Sequence, residues 1–317
     1  MKDSKSHALV VRRHGVGPRE VRGTPIATPV GMERRPVKFY REVLAALTKA
    51  HVPFLIGGAF AYCRYAGIDR RTKDLDLMIE EETWPELARV LRAEGIFTKR
   101  TFPHWLGKAL SPSGQVDIIF NGGSTLTPVD AECLAHGVPA TVLGFRTLLC
   151  PPEELLWSKA FVMERERFDG GDVLHLLRAQ AEQLDWQRLC RRFSGHEAVL
   201  RAHLILFAYV YPSEAFRIPP WVDEILTENA AAAATSTGNA KVCRGTYLSR
   251  AQYLADVDGG GYFDGRLPPF GTMSERNWLI WTNAIDAKRA GVRGGRRKTA
   301  PRASRQSEDG QLAGSRR

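Results

Sequence analysis

Leu55-Ile56-Gly57-Gly58-Ala59, followed by Arg71-Thr72-Lys73-Asp74-Leu75-Asp76-Leu77, is the stretch on which the fold turns. Pro53 to Ile56 reads as a short buried strand ending at the glycine pair, where a helix opens and runs to about Ala66. Asp74, Asp76 and Met78 then alternate with Leu75, Leu77 and Ile79, which is a strand with one wholly apolar face. Residues two apart on a strand share a face, with Cα atoms about 7 Å apart. Asp74 and Asp76 are therefore spaced to share a hard cation, while the leucines point into a core. Gly57 and Gly58 sit at a strand-to-helix junction, where a bare backbone admits a ligand closely and the helix start offers unpaired N–H groups. The plain alternatives are a tight turn with no ligand and a chance Asp-x-Asp pair.

A third acid gives the pattern its weight. Asp117 falls inside Gln115–Phe120, a strand made mostly of Val116, Ile118, Ile119 and Phe120. A carboxylate in so apolar a strand is costly unless it is paired or bound to a metal. If that strand lies beside the Asp74–Asp76 strand, about 4.8 Å away, the three acids converge. Three oxygen donors in an open site suit magnesium held together with nucleotide phosphates.

Outward from this centre, Val37–Lys49 carries Phe39, Val43, Leu44 and Leu47 at helical spacing. Thr83 with Glu86 reads as a capping box before a helix over Trp84–Glu94. Gly95–Thr101 and Trp105–Leu110 read as further strands, Pro128–Ala135 as a short helix, and Val138–Leu143 with Phe145–Leu149 as a hairpin turning at Gly144. From Pro151 the period becomes helical, over Glu153–Arg165, Asp172–Ala181, Trp186–Phe193 and Glu197–Tyr209. The expected plan is α+β: a mixed sheet flanked by helices over 36–150, then a helical domain over 151–229. An Ala-rich linker over 230–245 leads to a small C-terminal segment over 246–287. In that segment Tyr253, Tyr262, Phe263, Trp278 and Trp281 read as a small core, with a docking surface for a partner as the alternative. His104 with Trp105, and His175, His196 and His203, read as structural residues.

The net charge of +10 is unevenly placed. Residues 1–35 carry +5 and residues 288–317 carry +8, leaving 36–287 at −3. Both ends are rich in Gly, Ser, Pro and Arg and are expected to be disordered. Such ends either bind RNA or DNA through phosphates or serve only as solvated charge. The five cysteines are scattered with no CxxC, which argues against zinc and a disulfide framework and fits a reducing cytoplasm. No apolar stretch is long enough for a bilayer.

The glycine pair and the Arg-x-Thr-x-Asp-x-Asp run resemble the signature of the nucleotidyltransferase (polymerase-beta-like) superfamily. The form seen here is similar to its AbiEii-like and lincosamide-nucleotidyltransferase-like branches, and Arg70 has the matching spacing from Thr72. The resemblance implies that Asp74 and Asp76 bind Mg2+, and that Asp117 completes the metal site or activates the nucleophile. It also implies that Gly57, Gly58, Arg70, Arg71 and Thr72 meet the NTP. Many members carry Gly-Ser, whose hydroxyl meets a phosphate. Gly58 and Ala59 have no such oxygen, so backbone donors must act. Glu153-Glu154-Leu155-Leu156-Trp157-Ser158-Lys159 resembles the segment that brings a lysine, here Lys159, to the phosphates. Arg165-Glu166-Arg167-Phe168-Asp169-Gly170-Gly171-Asp172 resembles a later Arg/Asp motif. Ion pairing of these arginines with Asp169 or Asp172 is the alternative to ligand contact.

The implied activity is transfer of a nucleoside monophosphate from an NTP to a hydroxyl. AbiEii-like proteins imply RNA, such as tRNA, or protein as acceptor, in a toxin–antitoxin setting with a cognate antitoxin or partner protein. The antibiotic-modifying branch implies a small molecule. The rival from another class is a catalytically silent copy of the fold used as a binding module.

Overall fold

The computed structural model describes residues 34–68, 72, 74–235 and 240–290. Arg70 and Arg71 lie outside the described residues, as do most of the two basic ends. Helix α1 (Arg34–Lys49) buries Phe39, Tyr40, Val43, Leu44 and Leu47, the 3–4 spacing expected of one apolar stripe. β1 (Leu55–Ile56) leads through Gly57 into α2 (Gly58–Ala66), and β2 (Leu75–Met78) follows. After α3 (Trp84–Ala93) come β3 (Phe97–Phe102), β4 (Leu106–Ser111) and β5 (Gly114–Ile119). A short α4 (Ala131–Ala135) precedes the hairpin of β6 (Val138–Val142) and β7 (Phe145–Leu149).

These seven strands form one mixed sheet in the order β3-β4-β5-β2-β1-β7-β6. β2 runs parallel to β5 and β1 parallel to β7, while β1–β2, β3–β4, β4–β5 and β6–β7 are antiparallel. The register sets Leu75 against Val116, Asp76 against Asp117 and Leu77 against Ile118. Leu75, Leu77, Val116 and Ile118 are all buried, within the core that also holds the apolar stripe of α1. This is the mixed sheet flanked by helices that the sequence implied. One local expectation fails. Thr83 has helical torsions (φ −74, ψ −18) and its side chain caps nothing, because a 3-10 turn over Glu81–Thr83 already begins the helix.

The helical part opens with α5 (Pro152–Ala160). The sequence reading carried this helix to Arg165. Instead it stops at Ala160, and β8 (Met163–Glu164) pairs with β9 (Arg167–Phe168) as a small hairpin before α6 (Gly170–Gln180). Then follow α7 (Trp186–Arg192), α8 (Glu197–Val210) and α9 (Pro220–Thr235). The alanines Ala230–Ala234, read as linker, continue α9, as alanine's helix preference favours. Arg188 joins α7 to α5 by donating to Glu153 and, at 2.8 Å, to Glu154, with all three side chains buried. Arg192 extends this network to Asp130 at the start of α4 and so ties the helices to the sheet unit.

The last part contains β10 (Val242–Cys243), α10 (Leu254–Asp258), β11 (Phe263–Asp264) and α11 (Glu275–Ala290). Its core is Leu254, Leu267, Met273, Trp278 and Trp281, packed against Phe102 and Trp105 of the sheet unit. Tyr262 and Phe263, expected inside, are exposed, because β11 turns its other residue, Asp264, inward. There Asp264 accepts from Arg266 and from the Trp278 indole, which explains the wholly buried ion pair. Trp281 meets Phe102 edge-on at 4.9 Å and Trp105 at 5.3 Å. At the other end, Tyr247 packs on His196 and Leu248 accepts from the Met163 N–H. The segment thus straps the helical part to the sheet. No helix among the described residues is long and apolar enough to cross a membrane.

Candidate active site

Gly57 is held by its N–H to the Asp76 carbonyl at 3.0 Å, so the strand-to-helix turn is stitched to the acid strand. Gly58 takes φ +54 and opens α2. A Cβ at Gly58 would fall 1.7 Å from Asp76 Oδ2, so the Asp76 carboxylate lies against the bare backbone at the helix start. Thr72 makes a local turn, donating from its hydroxyl to the Asp74 carbonyl at 2.9 Å and accepting from the Asp74 N–H at 3.3 Å. Its hydroxyl thus sets the entry into β2 and is turned to the protein backbone.

Asp76 and Asp117 are register partners on adjacent parallel strands, and residues facing each other this way share a face of the sheet. Loss of hydration pushes Asp76 up to about 6, and the negative charges of Asp117 and Asp74 add to it, opposed by Lys159 and Arg167. Burial also raises Asp117, against the pull of Lys108. Tyr40, fully buried on α1, is pushed up to about 12 by burial and then by the charges of Asp74, Asp76 and Asp117 together. All three acids therefore bear on one region beside this hydroxyl.

They do not close into a cage. Among the described residues no group of three or more acids, histidines or cysteines is arranged to hold a metal ion. Asp117 Oδ1 instead accepts from Lys108 Nζ at 2.8 Å and from Gln115 Nε2 at 3.2 Å. Magnesium commonly takes one or two protein carboxylates and fills its octahedron with water and substrate phosphates. Asp74 and Asp76 fit that requirement. The suppressed ionisation of Asp76 follows from its burial beside two further carboxylates.

Lys159, expected at the phosphates, is clasped by Asp169 Oδ2 at 3.0 Å and Asp172 Oδ2 at 2.7 Å, with its ammonium 5.6 Å from the Tyr62 ring centre. Arg167 grips Asp169 with two parallel bonds of 2.8 and 2.7 Å. Asp169, although burial opposes it, is held below the usual carboxylate range by Arg167 and Lys159. For Arg167 the ion-pair alternative is thus the arrangement present, whereas Arg165 pairs with its exposed neighbour Glu166 at 3.2 Å. The cluster still acts on the site, since the charges of Lys159 and Arg167 reach Asp76.

The sequence reading missed Tyr40, Gln115 and Lys108. Gln115 was accessible as the i−2 neighbour of Asp117 on a strand. Lys108 and Tyr40 carried no local signal. His104 is structural, as read: its Nε2 is 3.2 Å from the Gly123 carbonyl, and burial lowers it to about 4.

Sheet order, a glycine turn closed on one acid and a second acid in register beside it make up the site that the resemblance to the nucleotidyltransferase superfamily implies. Within that superfamily, residues 40–118 match the family of aminoglycoside-2''-adenylyltransferases, a stretch that holds Gly57, Gly58, Asp74, Asp76 and Asp117. The AbiEii-like branch gains no specific support from this match. Solved structures with partial likeness include the antibiotic-resistance factor ANT(2'')-Ia in solution, at 18% identity and TM-score 0.38, covering 53% of this chain and 95% of that one. ANT(2'')-Ia in complex with adenylyl-2''-tobramycin is 16% identical at TM-score 0.34, covering 53% and 98%. An antigenic nucleotidyltransferase-like protein from Paracoccidioides brasiliensis is 18% identical at TM-score 0.40, covering 59% and 93%. Likenesses this partial add nothing to the sheet order itself. No curated protein matches the chain.

Proposed function

We infer that this chain moves a nucleoside monophosphate from an NTP to the hydroxyl of a small molecule. The observation that carries the reading is the Asp76 carboxylate seated against Gly58 with Asp117 as its strand partner. The start of α2 offers free N–H groups and the positive end of the helix to an anion. Gly57 and Gly58 would let the triphosphate approach there. Asp74 and Asp76 would hold magnesium, which when bound stabilises the charge that develops on the attacking and leaving oxygens.

On this reading Asp117 receives the proton of the acceptor hydroxyl. The hydroxyl oxygen forms a bond to the α-phosphorus, the bond to the β-phosphate oxygen breaks, and pyrophosphate leaves with the electron pair. Gln115 and Lys108 hold Asp117 Oδ1 in place. Lys159 and Arg167 supply positive charge near Asp76 from the helical part, opposing the build-up of negative charge there. Arg70, Arg71 and Thr72 remain proposed nucleotide contacts on sequence grounds alone.

The match to an antibiotic-modifying family supports a small-molecule acceptor better than RNA, tRNA or protein, and gives no support to a toxin–antitoxin role. The test is label transfer from each of the four α-labelled NTPs, with Mg2+, onto small-molecule, RNA and protein pools. Asp76→Asn serves as control. Label confined to the small-molecule pool and absent with the variant is the expected result. Label on RNA or protein alone would restore the other acceptor classes. No label with folded protein would favour the silent binding module.

A further inference from the structure

The row of strand partners that joins Asp76 to Asp117 continues across the sheet. Asp117 lies opposite Lys108, and Lys108 lies opposite Lys99 on the edge strand β3. Directly opposed residues share a face, at a strand spacing of about 4.8 Å. One face therefore carries Asp76, Asp117, Lys108 and Lys99 in line, from the strand beside Gly58 to the free edge of the sheet. The other face of the same strands is filled: Trp84 lies against Gly107, and Arg100 reaches over the Phe120 ring at 4.6 Å.

Two like charges placed directly opposite each other in a sheet are destabilising. Lys108 directs its ammonium to Asp117, and Gln115 donates to the same oxygen. Lys99 is exposed and makes no ion pair among the described residues. Asp117 thus offsets the Lys108 charge, while the Lys99 ammonium in register beside it has no counter-charge among the described residues, and an oxyanion bound there would supply one. The position also separates two ligands. Gly57 and Gly58 are on the β1 side of Asp76, whereas the lysines are on the β5 side, beyond Asp117. A triphosphate at the glycines leaves the lysine side to the acceptor.

We propose that Lys99 and Lys108 form the anion-binding end of the acceptor subsite, so that the hydroxyl acceptor carries a phosphate or carboxylate. A polycationic acceptor is disfavoured there, because its charges would meet like charges. The proposal rests on reading the three acids as a nucleotidyl-transfer centre with Asp117 facing the acceptor.

The test is titration calorimetry on the full chain, first with Mg2+ and a non-hydrolysable ATP analogue. The loaded protein is then titrated with inorganic phosphate, ribose 5-phosphate, ribose and tobramycin. Ribose 5-phosphate should bind about tenfold or more tighter than ribose, as one charged hydrogen bond implies, and tighter than tobramycin. Lys99→Glu, at an exposed position, should keep the wild-type melting temperature and lose that preference, with affinity for the ATP analogue unchanged. Unchanged ribose 5-phosphate binding in Lys99→Glu overturns the proposal. So does tighter binding of tobramycin, or a wild type that takes neither phosphate nor ribose 5-phosphate. Loss of ATP-analogue affinity in Lys99→Glu would give the lysines to the nucleotide's phosphates and overturn it too. Failure of the wild type to bind the analogue would sink the nucleotidyl-transfer reading instead. In that case phosphate binding to the unloaded protein, lost in Lys99→Glu, would still uphold the anion site.

Discussion

Gly58 and Asp76 occupy each other's space: a Cβ on Gly58 would lie 1.7 Å from the carboxylate oxygen Oδ2. The glycine also sits at φ +54, a conformation that L side chains resist. Two independent constraints thus require the same absent side chain. Many superfamily members carry serine in the glycine-pair motif, but with Asp76 in this position Gly58 leaves it no room.

Gly58→Ala and Gly58→Ser should therefore each cost about 1–2 kcal/mol from backbone strain alone. Nucleotidyl transfer should be lost beyond what the stability change explains, since Asp76 must move. Melting curves and transfer assays below the melting temperature check this. A Gly58→Ser variant as active as the wild type would mean that the turn relaxes freely.

Asp76 lies higher in the folded protein, at about 6, than its ordinary value of 3.8. Between those values the folded form binds the proton more tightly, so this group makes stability fall as pH rises from about 4 to 6. Asp76→Asn removes that slope and should raise stability at pH 7.5 by on the order of 2 kcal/mol. Added Mg2+ should raise the wild-type melting temperature at pH 7.5 but not at pH 4.5, and should not affect the variant at either pH. An equal magnesium effect on both proteins would place the ion elsewhere.

Lys159 bridges Asp169 and Asp172 while its charge is felt at Asp76. Lys159→Met should destabilise the fold by about 2–3 kcal/mol, since two carboxylates lose a charged partner. If Lys159 swings to the triphosphate during turnover, the KM for NTP rises as well. If it stays a brace, kcat falls with KM unchanged. Steady-state kinetics separate the two roles.

Trp281 anchors the C-terminal strap beside His104, 5.7 Å away. Burial holds His104 at about 4 against an ordinary 6.5, so the unfolded form takes up protons first and stability falls as pH drops from 6.5 towards 4. Trp281→Ala should cost about 3–5 kcal/mol. It should also expose the strap to proteolysis at neutral pH, as acid should in the wild type. A strap equally protected in both proteins at both pH values would show that other contacts hold it.

The features legible along the chain are those with short-range causes. Strict alternation of acid and leucine over Asp74–Leu77 specifies a strand with its carboxylates on one face. A strand running into Gly57-Gly58 specifies a turn into a helix. Asp117, alone among apolar neighbours, marks a carboxylate in need of a partner. The sequence reading failed where the cause lay elsewhere in the chain. The hairpin β8–β9 interrupts an otherwise helical composition because Glu164 is bound by Ser249 and the Arg250 N–H from the strap. Tyr62 and His175, bonded at 2.9 Å, are 113 residues apart.

By itself, then, the sequence determined the sheet-and-helix unit, its acids and its glycine turn, since pattern, spacing and backbone freedom are local properties. Only the tertiary structure decided how those acids are partnered. Register is set by whole-strand packing, and it alone put Lys108 on Asp117 and Lys99 beside Lys108. Long-range folding put the Tyr40 hydroxyl near the acids and closed Asp169 and Asp172 on Lys159. A charge's partner depends on which strands and helices meet, and no local spacing encodes that meeting.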